Sequence, residues 1–139
     1  MKKLLGILVL GLLFCNVGFA VELNCVLKKV EPLAETPTEG DKKMAKEEII
    51  GSKAKVKFQI DSKILLMKDK KRGLRKFEID EMGAKWFDSS FIKASDKGFI
   101  ADTVMVALDD LIVLRNIHEG TNSTQKVVSI MIEYSCQKK

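Results

Sequence analysis

This sequence predicts an all-β domain with, at most, one short helix. The expected architecture is an antiparallel meander of about seven or eight strands, closed or partly closed into a barrel. Three observations carry that expectation. Apolar and polar residues alternate with a period of two through much of the chain beyond residue 53, as in strands with one buried face. Turn residues interrupt this pattern at short intervals, with no repeat and no helical pattern between, as in an up-and-down sheet. Two cysteines, Cys25 and Cys136, stand near opposite ends of the chain; a bond between them would set the first and last strands side by side.

Residues 1–20 read as a secretory signal peptide. Lys2 and Lys3 form a basic start, residues 4–14 are apolar, and Gly18 and Ala20 supply small residues before a cut after Ala20. An uncleaved anchor is the other reading, but the apolar stretch of 17 residues contains Asn16 and lacks flanking stop-transfer charges. Lipidation fits poorly, because Phe14 precedes Cys15 and Asn24 precedes Cys25. Cleavage leaves 119 of the 139 residues, enough for a single domain with one core over residues 21–139. It also removes two lysines, so 22 basic residues face 19 acidic ones. A net charge of +3 is too small to imply a polyanion partner, and nucleic acid is not expected. The protein is expected to be periplasmic or secreted and not to span a membrane once cleaved.

In an oxidising compartment Cys25 and Cys136 are expected to form a disulfide. Its loop of about 110 residues would contribute at most about 4–5 kcal/mol in the chain-entropy model. No CxxC is present and His118 is the sole histidine, so neither a cysteine–histidine metal site nor any cofactor is expected.

In chain order, residues 21–30 read as the first strand. Pro32 and Pro37 mark residues 31–40 as a loop. Residues 41–50 suit a short helix, capped by Thr38 or Asp41 and ended by Gly51, although a loop would have similar composition. Ala54, Val56, Phe58 and Ile60 alternate with Lys53, Lys55, Lys57 and Gln59, giving the cleanest half-buried strand. Residues 64–68 return after a turn at Asp61 and Ser62, and residues 68–73 form a charged turn. Residues 74–80 continue with Phe77 and Ile79 on one face, followed by a strand over residues 85–91 and a turn over residues 94–98. Residues 99–117 form two strands about Asp109 and Asp110. Because they carry apolar residues on both faces, they are expected to be the central hairpin, covered on both sides. Residues 118–124 read as a polar loop and residues 125–136 as the last strand, with Val128, Ile130, Ile132, Tyr134 and Cys136 on one face.

Catalytic patterns are weak. A serine–histidine–acid set would have to use His118 in its loop with Asp102, Asp109 or Asp110, and no nucleophile elbow accompanies it. Adjacent turn acids such as Asp109 and Asp110 point apart and suit no glycosidase pair. No phosphate-binding or dinucleotide motif is present, and the chain is read as a non-enzyme. The one clear charge cluster is Lys68, Lys70, Lys71, Arg72, Arg75 and Lys76. It could contact anionic headgroups or an acidic protein; a solvated hairpin tip that discourages edge pairing is the plainer reading. Phe58, Phe77, Trp86, Phe87, Phe91 and Phe99 could line a cavity for a small apolar ligand, or simply fill the core. Asn122, Ser123 and Thr124 match a glycosylation sequon, read as a chance match because the leader has a bacterial character.

The leader is similar to those of small exported proteins of marine Gram-negative bacteria. So is the later layout: the early Cys25, Phe58 with Ile60 and Asp61, the strand Val106 to Asp110, and Tyr134 before Cys136. This resemblance implies export and a β-rich domain and supplies no catalytic residues. The expected role is non-enzymatic binding of an envelope component or a protein. Alternatives are a lipocalin-like carrier of a small apolar ligand and an enzyme of a kind no motif reveals.

Overall fold

Each stretch of alternating sequence forms a strand in the computed structural model, which describes residues 21–123 and 126–139. The expected signal peptide, residues 1–20, lies outside the described residues, as do Thr124 of the sequon and Gln125 at the expected start of the last strand. The strands are β1 (Val21–Pro32), β2 (Lys53–Gln59), β3 (Ile64–Asp69), β4 (Gly73–Met82), β5 (Trp86–Ser95), β6 (Gly98–Ala107), β7 (Ile112–Thr121) and β8 (Val127–Lys138), with a helix α1 (Glu39–Lys46) between β1 and β2. Every strand pairs antiparallel with its sequence neighbours, and β8 returns to β1, closing an eight-stranded barrel. Closure leaves no free sheet edge.

The meander sorts the connections by end. One end carries both ends of the described chain and the β2–β3, β4–β5 and β6–β7 turns. The other carries residues 33–52 with α1, and the β3–β4, β5–β6 and β7–β8 turns. At this α1 end Asp69 Oδ1 accepts from the Arg72 backbone N–H at 2.6 Å, and Gly73 enters β4 at φ +70, a conformation that glycine adopts without penalty. That local bond tightens the charged turn and aims the next strand.

Closure is welded where the ends meet. Cys25 and Cys136 are cross-strand partners in β1 and β8 and form a disulfide with Cα atoms 4.0 Å apart. After Leu27 the β1–β8 register shifts by a bulge. Lys28 and Lys29 both face solvent there, and Val30 returns to pack on the core, so the bulge re-aims the strand without losing an apolar position.

Inward positions fill the lumen. Leu23, Val56, Leu65, Val104, Val113 and Ile132 are fully buried, each burial contributing about 1.5–3 kcal/mol. Phe58 packs on Phe87 with ring centroids 4.8 Å apart, and Phe77 meets Phe91 edge-on at 6.1 Å.

Four local expectations are corrected. The helix spans Glu39–Lys46 rather than residues 41–50, because Thr38 and Asp41 form a reciprocal capping box that fixes its start. Its expected continuation has no face to bury: Ile49 and Ile50 are 72% and 60% exposed. His118 lies in β7, not in a loop. Strand length there is set by the partner, since Gly98 at the start of β6 pairs with Thr121. The expected turn over residues 94–98 shrinks to Asp96 and Lys97 because β5 pairs with β6 out to Ser95. Finally, β6 and β7 are wall strands rather than a covered centre. Their outward partners Met105 and Leu114 are only partly buried, since a closed barrel of this kind has one core, inside.

Candidate functional site

Strand parity takes the basic run apart. Lys68 in β3 and Lys76 in β4 point outward and are exposed, and Lys70 is exposed in the turn between them. Arg75 points inward and donates to Asp102 Oδ2 at 2.6 Å. Arg72 and Lys71 turn to Glu48, with Nη2 at 2.5 Å and Nζ at 2.8 Å from its Oε1. Burial works to raise the Glu48 pKa, but Arg72 and Lys71 outweigh it and hold the carboxyl below its usual range. Half of the run is thus neutralised within the fold, and it does not form one surface.

What Lys68 and Lys76 join is a larger basic face. The alternation of β2 sends Lys53, Lys55 and Lys57 outward, all exposed. Lys55 stands directly opposite Lys68, and Lys57 stands opposite Leu66, which in turn faces Lys76. Among the described residues none of these five lysines enters an ion pair. The nearest acid by register, Glu22 opposite Lys57, is engaged by Lys139 at 3.4 Å. Leu74, opposite Lys68, is 64% exposed within the face. Lys53, Lys55 and Lys57 were legible in the sequence as the polar half of a strand; their convergence with Lys68 and Lys76 needed the register.

Inside the barrel lies a second charged group that the sequence reading missed. Arg115 donates from Nη2 to Asp102 Oδ2 at 2.6 Å and from Nε to Asp102 Oδ1 at 2.9 Å, and from Nη1 to Asp69 Oδ2 at 2.5 Å. Its guanidinium lies 5.9 Å from the Phe77 ring centroid, and that of Arg75 lies 5.3 Å from Phe91. Burial opposes the Arg115 charge, but the Asp102 carboxylate overrides it and raises the arginine above its ordinary pKa. Burial pushes the nearby Tyr134 phenol up as well, with Arg115 opposing. Two arginines balance two aspartates, so this is a neutral, satisfied network within the core.

The aromatic set does not converge on one cavity. Phe58, Phe77 and Phe87 are buried filling of the lumen, and Phe91 is half-buried beneath Arg75. Trp86 sits at the end away from α1, 38% exposed and so close to Gly83 that a Cβ there would lie 2.5 Å from its Nε1. Phe99 alone borders an open cleft of about 690 Å³ at the α1 end, between the helix and the tips of β5 to β8.

His118 Nδ1 lies 2.7 Å from Ser129 Oγ on β8. The acids that could have oriented it are elsewhere: Asp102 is bound to the arginines inside, and Asp109 pairs with Lys85 at 2.6 Å. Among the described residues no acid meets the far ring nitrogen, so this serine–histidine contact lacks the orienting element of a triad. Among the described residues no group of three or more His, Cys, Asp or Glu is placed to hold a metal ion, and no helix is long and apolar enough to cross a membrane.

These features define a small, disulfide-closed, eight-stranded up-and-down barrel with a lysine-rich outer face and a cleft beneath its single helix. No protein-family description, curated protein or solved structure matches the chain.

Proposed function

We propose that the protein is an exported, non-enzymatic binding domain whose outer β2–β3–β4 face docks on phosphate-bearing lipid at the cell envelope. The observation that carries this reading is the set of five exposed lysines that enter no ion pair among the described residues, with Lys55 and Lys68 directly opposed. Like charges facing each other across two strands destabilise a sheet, so the arrangement costs the isolated barrel stability that an anionic partner restores. Leu74, exposed among the lysines, adds an apolar side chain able to enter a headgroup layer. Each lysine near such a surface contributes about 1 kcal/mol at low ionic strength.

The test is co-sedimentation with vesicles of phosphatidylglycerol and phosphatidylcholine, against phosphatidylcholine alone. Binding is expected to require the anionic lipid and to fall steeply with salt. The triple variant K55Q/K57Q/K68Q should partition on the order of 100-fold less at low salt. Equal binding to both vesicle types, or an unchanged triple variant, would sink the reading.

A further inference from the structure

The cleft at the α1 end shares no residue with the lysine face and has its own logic. One wall is α1, which is held rather than loosely appended. Asp41 Oδ1 accepts from the Ser129 backbone N–H of β8 at 2.7 Å, and Met44 is buried against the barrel. A Cβ on Gly40 would lie 3.0 Å from Val128 Cγ2, so the helix sits about as near to β8 as glycine allows. The floor comes from the strand tips. Gly120 pairs with Phe99, and a Cβ at Gly120 would lie 2.3 Å from the Phe99 ring. The ring therefore rests against bare backbone on the outer side of the rim, in space that only glycine leaves free, while Ile100 and Val128 share the inward parity of Asp102 and Ile130.

The chemistry of the lining is divided. Met44, Phe99, Ile100 and Val128 supply apolar surface, and Lys43, Lys93, Lys97 and Lys126 supply cations. None of these four lysines enters an ion pair among the described residues. Two carboxylates share the lining, Glu47 and Glu119, and Glu47 lies 3.6 Å from Lys71. Positive charge is thus in surplus at an apolar cleft of about 690 Å³, within the size range of small-molecule sites.

We infer that this cleft binds a single-chain anionic amphiphile, its acyl tail against Ile100, Met44 and Val128 and its acidic head among Lys93, Lys97 and Lys126. Complementarity selects that class on two counts. A wholly apolar molecule would leave the lysines without a partner, and a small hydrophilic anion would leave the apolar floor in water. The ligand lies at the barrel's mouth, not in its lumen, because aromatic side chains fill the interior.

Isothermal titration of the full barrel with dodecanoate below its micelle concentration tests this directly, with dodecyl maltoside as the neutral head of equal chain length. Dodecanoate is expected to bind saturably at one site, at least tenfold tighter than the maltoside. The variant K93E/K97E/K126E should lose dodecanoate affinity at least tenfold, and I100A should weaken both probes. All four positions lie on the barrel's surface or rim, and circular dichroism checks that each variant is folded. K55Q/K57Q/K68Q should bind dodecanoate as the wild type does, which separates this site from the lipid-docking face. No saturable binding, equal affinity for the two probes, or indifference to K93E/K97E/K126E would each overturn the inference.

Discussion

Asp102 and Arg115 meet inside the barrel as a buried pair, Arg115 Nη2 lying 2.6 Å from Asp102 Oδ2 and both residues at most 1% exposed. They stand diagonally across β6 and β7, since Val104 is the direct partner of Arg115 and Ile117 that of Asp102. Such a pair does not stabilise by its charges alone, because desolvation opposes the attraction. What matters is that every member is satisfied: Asp102 also receives Arg75, and Asp69 also receives Arg115 and the Arg72 backbone N–H.

Removing one member therefore strands the others. Asp102→Ala leaves the buried Arg115 and the inward Arg75 without their shared carboxylate, and should cost about 3–5 kcal/mol. Arg115→Met should cost less, because Asp102 keeps Arg75 and Asp69 keeps the backbone bond. Urea unfolding of the two single variants and the double variant reads both values and their coupling. Equal losses for the two single variants, or strict additivity, would show that the four residues do not act as a unit.

The Cys25–Cys136 bond should act on the unfolded chain more than on the folded barrel. The β1–β8 register extends on both sides of it, so backbone pairing closes the seam without the sulfurs. Reduction, or Cys25→Ser with Cys136→Ser, is expected to leave the far-ultraviolet spectrum unchanged. The midpoint of thermal unfolding should fall by on the order of 10 °C, corresponding to about 2–4 kcal/mol. A reduced protein that melts with the oxidised one would place the closure energy in the strand pairing alone.

Much of the fold could be read from local pattern, because period-two alternation and turn residues act over a few positions. The alternation of residues 53–60 became β2, and the paired cysteines became the seam. What could not be read depended on partners. The run from Lys68 to Lys76 looked like one patch until the turn at residues 70–72 set the parity of β4 and sent Arg75 inside. Arg115 carried a usable signal, since it shares the inward parity of Val113 and Ile117, but an arginine in an apolar run gives no hint that Asp69 and Asp102 will face it. Lys43, the pair Lys93 and Lys97 of one hairpin, and Lys126 come from three separate stretches that only the folded barrel assembles. His118 looked like a loop residue because Gly120, Asn122 and Ser123 follow it, whereas β6 supplies a partner strand as far as Thr121.

The attachment of α1 should depend on pH through Asp41. Its carboxylate accepts from the Thr38 hydroxyl at 2.6 Å, the Ser129 backbone N–H at 2.7 Å and the Thr38 backbone N–H at 2.7 Å, and these bonds hold its pKa below the usual range, the Thr38 hydroxyl most of all. A group whose pKa is lower in the folded than in the unfolded chain contributes stability that is fully present above the unfolded value, near 3.9, and is lost as pH falls through the folded value. Amide hydrogen exchange, normalised to unstructured rates, should therefore show α1 losing protection as pH falls below about 4 while β6 and β7 keep theirs. Asp41→Asn should weaken α1 protection at neutral pH by roughly fivefold, in line with about 1 kcal/mol for a lost cap, and should remove most of its change with acid. Because α1 is a wall of the cleft, the same substitution should also weaken dodecanoate binding at neutral pH. Undiminished α1 protection in Asp41→Asn would mean that Met44 packing holds the helix, and that the carboxylate does not.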